Sequence, residues 1–298
     1  MFKRLLCSFM LILSCFNFNA YAQVTVKDAT GKNFTYNQAA KRVVVLEFSF
    51  ADALANVDVK AVGIADDGDA KRLIPIVAQK QAGYQSVGMR AQPNLEVIAA
   101  LKPDLIIADV NRHSSIYAQL QSIAPTILLN SLYETYDEDL ANAKTIAALV
   151  GKSEAFAKRF ATYQQQMQEL AKKANAKGKL AAFCTSRENQ FEVYTANTYQ
   201  GGILQALGFK LLPTPANSSN GRINSSLEQV LTTKVETLFI ANYVENSISR
   251  QWESNPLWQA IPAVKNNAVY AVDTNLWARA RGMYASLEMA QQVVDSIK

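Results

Sequence analysis

Arg90, Arg112, Arg187, Arg279 and Arg281 stand in polar stretches just past short apolar runs, in both halves of the chain. Arg72, Glu47, Tyr243 and Trp277 occupy comparable places. A guanidinium offers a rigid fork of donors that takes a carboxylate in bidentate fashion. One arginine in an exposed loop means little, but a set converging on one site selects an anion, best a polycarboxylate. A second kind of chemistry is absent. There is no Gly-x-Ser-x-Gly elbow, no His-Glu-x-x-His pair and no phosphate-binding loop. The single histidine, His113, cannot build a multi-histidine metal site and reads as a loop residue. Asp66-Asp67-Gly68-Asp69 opens like a calcium loop but lacks the terminal glutamate, so it reads as a solvated loop. Tyrosines are numerous enough to hold iron, yet no spacing marks out a ligand pair. No catalytic residue, resident metal or cofactor is therefore expected.

These residues need elements to place them, and the stretch Ser86 to Asp109 supplies the pattern. Pro93 and Asn94 suit the start of a helix. Leu95, Ile98 and Leu101 share one helical face. Lys102-Pro103 stops the helix, and Leu105 to Ala108 is an apolar run fit for a strand buried on both sides. Ser225 to Asn242 repeats the order: Leu-Glu, an apolar residue, a lysine six places after the glutamate, then an apolar strand. The repeat puts Glu96 and Glu228 in equivalent first turns. Val43 to Gly63 and Leu180 to Leu212 form a fainter strand, helix, strand pair. Two similar α/β halves follow.

Between the halves, Ser153 to Lys177 carries no Pro or Gly, and Phe156, Phe160, Tyr163, Met167 and Leu170 form one apolar stripe. A helix of that length reaches roughly 35 Å, about the width of a small domain. The pattern predicts an N-terminal lobe over 23–151, a connecting helix over 152–177 and a C-terminal lobe over 178–298. The lobes are Rossmann-like, with the ligand cleft between them. Elsewhere the reading gives a hairpin from Val24 to Tyr36, a helix from Phe50 to Val57 capped by Ser49, and a helix from Asp139 to Val150. Ser153 is expected to cap the connecting helix, Pro213 to Asn224 to be an exposed loop, and Trp277 to Gly282 to lie in another loop. In open α/β sheets ligands bind beyond the carboxyl ends of the strands, where the arginines fall.

The first residues read as an export signal. Lys3-Arg4 give the positive start, Leu5 to Phe16 the apolar centre and Ala20-Tyr21-Ala22 the cleavage pattern, so 1–22 is expected to be removed. Leu13 stands where a lipidation motif before Cys15 wants a small residue, which argues against a lipid anchor. Cleavage removes Cys7 and Cys15 and leaves Cys184 alone, with no internal disulfide to form. The whole chain has 30 Lys+Arg against 25 Asp+Glu. Without Lys3 and Arg4 the balance is 28 against 25, or +3, too mild for a nucleic-acid binder.

Taken together, the segment Pro93-Asn94-Leu95-Glu96-Val97-Ile98-Ala99-Ala100-Leu101-Lys102-Pro103-Asp104-Leu105-Ile106-Ile107, the two α/β halves and the connecting helix resemble the periplasmic siderophore-binding proteins of iron-uptake ABC transporters. Val43 to Leu54, Gly63 to Asp67, Ala70-Lys71-Arg72, Thr185 to Glu188 and Trp277 to Gly282 are similar to the branch that carries ferric dicitrate. The likeness covers nearly all of the exported chain and is weakest at Pro213 to Asn224. It implies a monomeric periplasmic receptor that binds a ferric citrate ligand and delivers it to an inner-membrane ABC permease with its ATPase, through lobes that move little. It also implies that Glu96 and Glu228 dock on permease arginines. Receptors for other iron siderophores, haem or cobalamin are the alternatives within this class. A periplasmic enzyme acting on carboxylates is the alternative outside it.

Overall fold

The computed structural model describes residues 23–297, so the expected signal segment with Cys7 and Cys15 lies outside the described residues. A short antiparallel hairpin, β1 (Val24–Lys27) and β2 (Asn33–Tyr36), comes first, as its turn residues predict. The next five strands are β3 (Val43–Val45), β4 (Gly63–Ile64), β5 (Gln85–Ser86), β6 (Leu105–Asp109) and β7 (Thr126–Leu129). They form an all-parallel sheet in the order β5-β4-β3-β6-β7. Its central strands β3 and β6 are buried at every residue, which is why they read as unbroken apolar runs.

The second half contains β8 (Leu180–Ser186), β9 (Phe191–Tyr194), β10 (Lys210–Leu211), β11 (Arg222–Asn224), β12 (Thr237–Asn242) and β13 (Val269–Ala271). Their order is β11-β9-β8-β12-β13, with β10 also on β8. This sheet is mixed. β12, β13 and β10 run parallel to their neighbours, whereas β9 is antiparallel to both β8 and β11. The halves are thus related but not identical, because β8 turns straight back into β9 before its helix, Tyr199–Ala206, begins.

Helix Ser153–Ala174 links the two sheets. Phe156, Tyr163, Met167 and Leu170 are its buried stripe, while Phe160 packs part-buried beside them. Asn175, at φ 47°, ends it in the left-handed region that asparagine tolerates. Ser153 is the first helical residue and does not cap, since Lys152 takes the cap position. The closing helix Met283–Ser296 packs on the linking helix and on Phe48–Asn56 of the first half. The largest buried cluster accordingly runs from Val43 and Ile107 under the first sheet to Phe183, Phe239 and Trp277 under the second. A separate cluster covers the other face of each sheet.

Several local expectations need correction. The first long helix is Phe48–Asn56, not Phe50 to Val57, and Glu47 holds its cap position. Ser49 lies inside that helix with its hydroxyl on Ser131 Oγ at 2.8 Å. The helix expected from Asp139 spans Tyr136–Leu149 and is started by a Thr135–Glu138 capping box. Pro93 precedes its helix, and Asn94 alone caps Leu95–Ala100. No helix among the described residues is long and apolar enough to cross a membrane.

Candidate functional site

The polar residues of the site stand where parallel strands end. Glu47 follows β3, Asp67 and Arg72 follow β4, and Arg90 follows β5. Past β6 comes Arg112, on a one-turn helix Val110–His113 rather than in a loop. Asp109 caps that turn through the amides of Asn111 and Arg112 at 2.9 and 2.8 Å. His113, expected in a loop, lies on that turn and is fully buried. It accepts from Asp109 N–H at Nδ1 over 2.8 Å, so Nε2 carries the proton given to Arg90 O at 2.7 Å. Burial holds its pKa below the usual histidine value. The histidine is a fastener that fixes the arginine-bearing loop to the end of β6.

Three arginines of the first half are engaged by two acids. Arg90 donates Nε and Nη2 to Asp67 at 3.1 and 2.8 Å, and its Nη1 lies 3.5 Å from Glu47 Oε2. Arg72 Nη1 reaches the same Asp67 oxygen at 2.9 Å. Arg112 Nε sits 2.6 Å from Glu47 Oε1. Burial pushes Asp67 up, but the bonds from Arg90 and Arg72 outweigh it and hold the carboxyl below its ordinary range. For Glu47, almost wholly enclosed, burial wins over Arg112 and Arg90 and lifts the carboxyl above that range. Arg90 also stacks on Phe48, 3.9 Å from the ring centre.

The second half is different. The Arg187 guanidinium lies 3.8 Å from the centre of the Tyr243 ring and that of Arg279 lies 5.3 Å from it. Neither guanidinium has a hydrogen bond or ion pair among the described residues. A ring that holds two cations without neutralising them leaves both forks open. Arg281 is buried and gives Nη2 to Leu132 O at 3.3 Å, across from the second half to the first. Trp277, expected in the cleft, reaches none of this. It lies on helix Thr274–Arg279, fully buried and stacked on Phe183 and Phe239, with Nε1 on Gln292 at 2.6 Å.

Arg222 is a candidate site residue that sequence reasoning misses. It opens β11 at the end of the Pro- and Ser-rich stretch, with its guanidinium between Tyr194 and Tyr133 at 4.9 and 5.2 Å. Its Nη2 shares Leu132 O with Arg281. The only signal was a lone arginine in a stretch otherwise without charge. Two grooves open where the halves meet. One, of about 700 Å³, is lined by Asn111, Tyr133 and Asn142 on one side and Asn197, Thr214 and Gly221 on the other. The second, of about 860 Å³, has Arg72 and Arg279 on opposite walls. Asn275 Nδ2 crosses its floor to Arg72 O at 3.1 Å.

Neither Glu96 nor Glu228 makes an ion pair with an arginine among the described residues. Both are exposed in the first turns of matching six-residue helices, one capped by Asn94 and the other by a Ser226–Gln229 capping box. Among the described residues no group of His, Cys, Asp and Glu is placed to hold a metal ion.

Comparison with known proteins gives the family of the chain. The sequence profile described as periplasmic binding protein matches residues 43–276. The Fe(3+) dicitrate-binding periplasmic protein FecB of Escherichia coli is 45% identical over 292 residues, spanning 98% of this chain and 94% of that one. The Fe(3+)-citrate-binding protein YfmC of Bacillus subtilis is 39% identical over 273 residues, with 91% and 85% covered. Among solved structures, Staphylococcus aureus SirA complexed with staphyloferrin B superposes with a TM-score of 0.80 at 26% identity, covering 92% of this chain and 98% of that one.

Proposed function

This chain belongs to the periplasmic binding protein family, and from that membership we propose that it captures ferric dicitrate outside the inner membrane and delivers it to an ABC permease. One observation carries the ligand assignment: the guanidinium forks of Arg187 and Arg279 lie together on Tyr243, and Arg279 lines a groove with Arg72 of the first half. Among the described residues Arg187 and Arg279 are unpaired, and Arg112 has only Glu47. Carboxylates of a chelate with net negative charge satisfy such forks, whereas a neutral hydroxamate leaves them unpaired and desolvated. Arg90 and Arg72 are held by Asp67 and shape the wall, and Arg222 and Arg281 close the far side. Tyr243 is the platform for the open pair.

The receptor acts as a monomer of two lobes, 23–151 and 178–298, joined by 152–177 and exported by the segment 1–22. The protein binds and releases without chemical change, so citrate incubated with it stays intact. Glu96 and Glu228, one on each lobe, are the contacts for paired arginine patches on the permease. Iron-citrate uptake by cells that lack their own receptor tests the assignment. Restored uptake of labelled iron from citrate, and none from a ferric hydroxamate, is expected. Uptake from the hydroxamate alone would refute it.

A further inference from the structure

Glu47 is a buried carboxylate beside the strand-end arginines of the first half, and Arg112 and Arg90 are the cations nearest to it. Its side chain is 1% exposed. Arg112, on the turn after β6, stands 2.6 Å from Oε1, yet the approach is too poorly aligned for a hydrogen bond and Oε1 has no donor. Arg90, in the loop after β5, reaches Oε2 only at 3.5 Å, because its other nitrogens serve Asp67. Three more charges face Glu47 from farther off: Asp109 at the end of β6, Arg281 beyond helix Thr274–Arg279, and Glu134 after β7. Arg112 has no other partner for its guanidinium among the described residues. A polyanion seated on Arg112 therefore brings negative charge to the cation that stands nearest Glu47 and favours its ionised form. Like charges in a dry site disfavour one another, and a buried carboxylate escapes by taking a proton.

We propose that Glu47 takes up one proton from solvent when the anionic ligand binds: the empty cleft holds its carboxylate between Arg112 and Arg90, and the loaded cleft holds the neutral carboxylic acid. The inference rests on the reading of the cleft as a ferric citrate receptor and adds a charge adjustment to it. Protonation leaves Arg112 and Arg90 with one more net positive charge for the ligand. The bound form then prefers the protonated acid more than the free form does. Affinity rises as pH falls through the bound-state pKa of Glu47 and levels off below the free-state value, by up to about tenfold per pH unit for one coupled proton. A more highly charged chelate gains more from the step than a less charged one.

The test is calorimetry of the exported protein with ferric citrate, across neutral pH and in buffers of unequal ionisation heat, on the parent and on Glu47→Gln. Glutamine imitates the neutral acid. The parent is expected to take up a Glu47-dependent fraction of a proton. The variant should lose that uptake and bind more tightly than the parent at the basic end. The ligand's own titration is common to both and cancels in the comparison. Equal proton uptake and equal pH slopes in the two proteins overturn the step. Should the variant not fold, infrared difference spectra of the parent labelled with ¹³C-glutamate decide. A protonated-carboxyl band that appears on binding and shifts with the protein label supports the step, and its absence overturns it. If ferric citrate does not bind the parent at all, the receptor reading falls, and this step with it.

Discussion

Each arginine's environment decides how much of it is available to a ligand. Arg187 and Arg279 lie against Tyr243 with no acid among the described residues to neutralise them, whereas Arg72 and Arg90 already share Asp67. Arg187→Ala or Arg279→Ala should each weaken ferric citrate binding by about 1.5–3 kcal/mol, the usual size for a hydrogen bond to a charged group. Arg72→Ala should cost under about 1 kcal/mol, since its side chain is partly solvated and its contact is with Asp67. Calorimetric titration of the three variants checks the order, and a larger loss at Arg72 would contradict it. Lysine at 187 or 279 should recover only part, because an ammonium lacks the planar fork. The strand-end arginines were legible in the sequence because an α/β sheet puts its loops at one edge. Trp277 was misread because an indole two residues before Arg279 can face the cleft or the core. Phe183 and Phe239, distant in sequence, decide for the core. Arg222 escaped notice because it opens a strand instead of following one.

The closing helix is held to the first half by Asp52, which accepts from the amides of Tyr284 and Ala285 at 3.2 Å each. Gly282, just before that helix, has φ 119° and packs so closely that an added Cβ would lie 2.2 Å from Asp52 Cγ. Gly282→Ala should therefore destabilise the protein by about 2–4 kcal/mol through strain and overpacking. Urea unfolding measures it, and a loss within error would contradict the packing account. Burial raises the Asp52 carboxyl from 3.8 to about 7 despite the two amides. Glu134 and Asp139, buried together near Arg281, are raised as well. A raised carboxyl means that the folded state binds more protons than the unfolded chain, so stability should grow as pH falls through about 7. His113, whose pKa is lowered by burial, pulls the opposite way below its ordinary 6.5. The gain should thus be clearest between about pH 8 and the histidine range, and Asp52→Asn should flatten it. Parallel urea curves across that window, or a stability maximum at the basic end, would contradict it. Helix starts were legible where a side chain spends itself on its own cap, as at Asn94. They were misplaced at Ser49, whose hydroxyl goes instead to Ser131 on another segment.

At the scale of the molecule, one unbroken core joins the two sheets, and the linking helix, Phe48–Asn56 and the closing helix pack together within it. A hinge that opened widely would have to expose this shared apolar surface, at roughly 25 cal/mol per Å². Small shifts of the lobes are what this arrangement permits, and the scattering profiles of free and loaded protein should nearly coincide. The two α/β halves and the linking helix were legible from the repeated Leu-Glu segment and the long uninterrupted stripe. The antiparallel β9 and the crossing of the closing helix onto the first half were not, because both depend on contacts between distant segments. The repeat also sets the delivery prediction. Glu96→Arg combined with Glu228→Arg should leave ferric citrate binding intact, since both glutamates are exposed, and should abolish uptake by placing like charges against the permease. Normal uptake by that double variant would refute the docking role. Open arginine forks should make this cleft selective for a ferric polycarboxylate. Tryptophan fluorescence, with Trp277 packed in the core two residues before Arg279, can follow titration with ferric citrate, citrate alone and a ferric hydroxamate. A saturable response to ferric citrate is expected, with a weaker one to citrate and none to the hydroxamate, and hydroxamate binding as tight as ferric citrate binding would contradict the selectivity of the arginine forks.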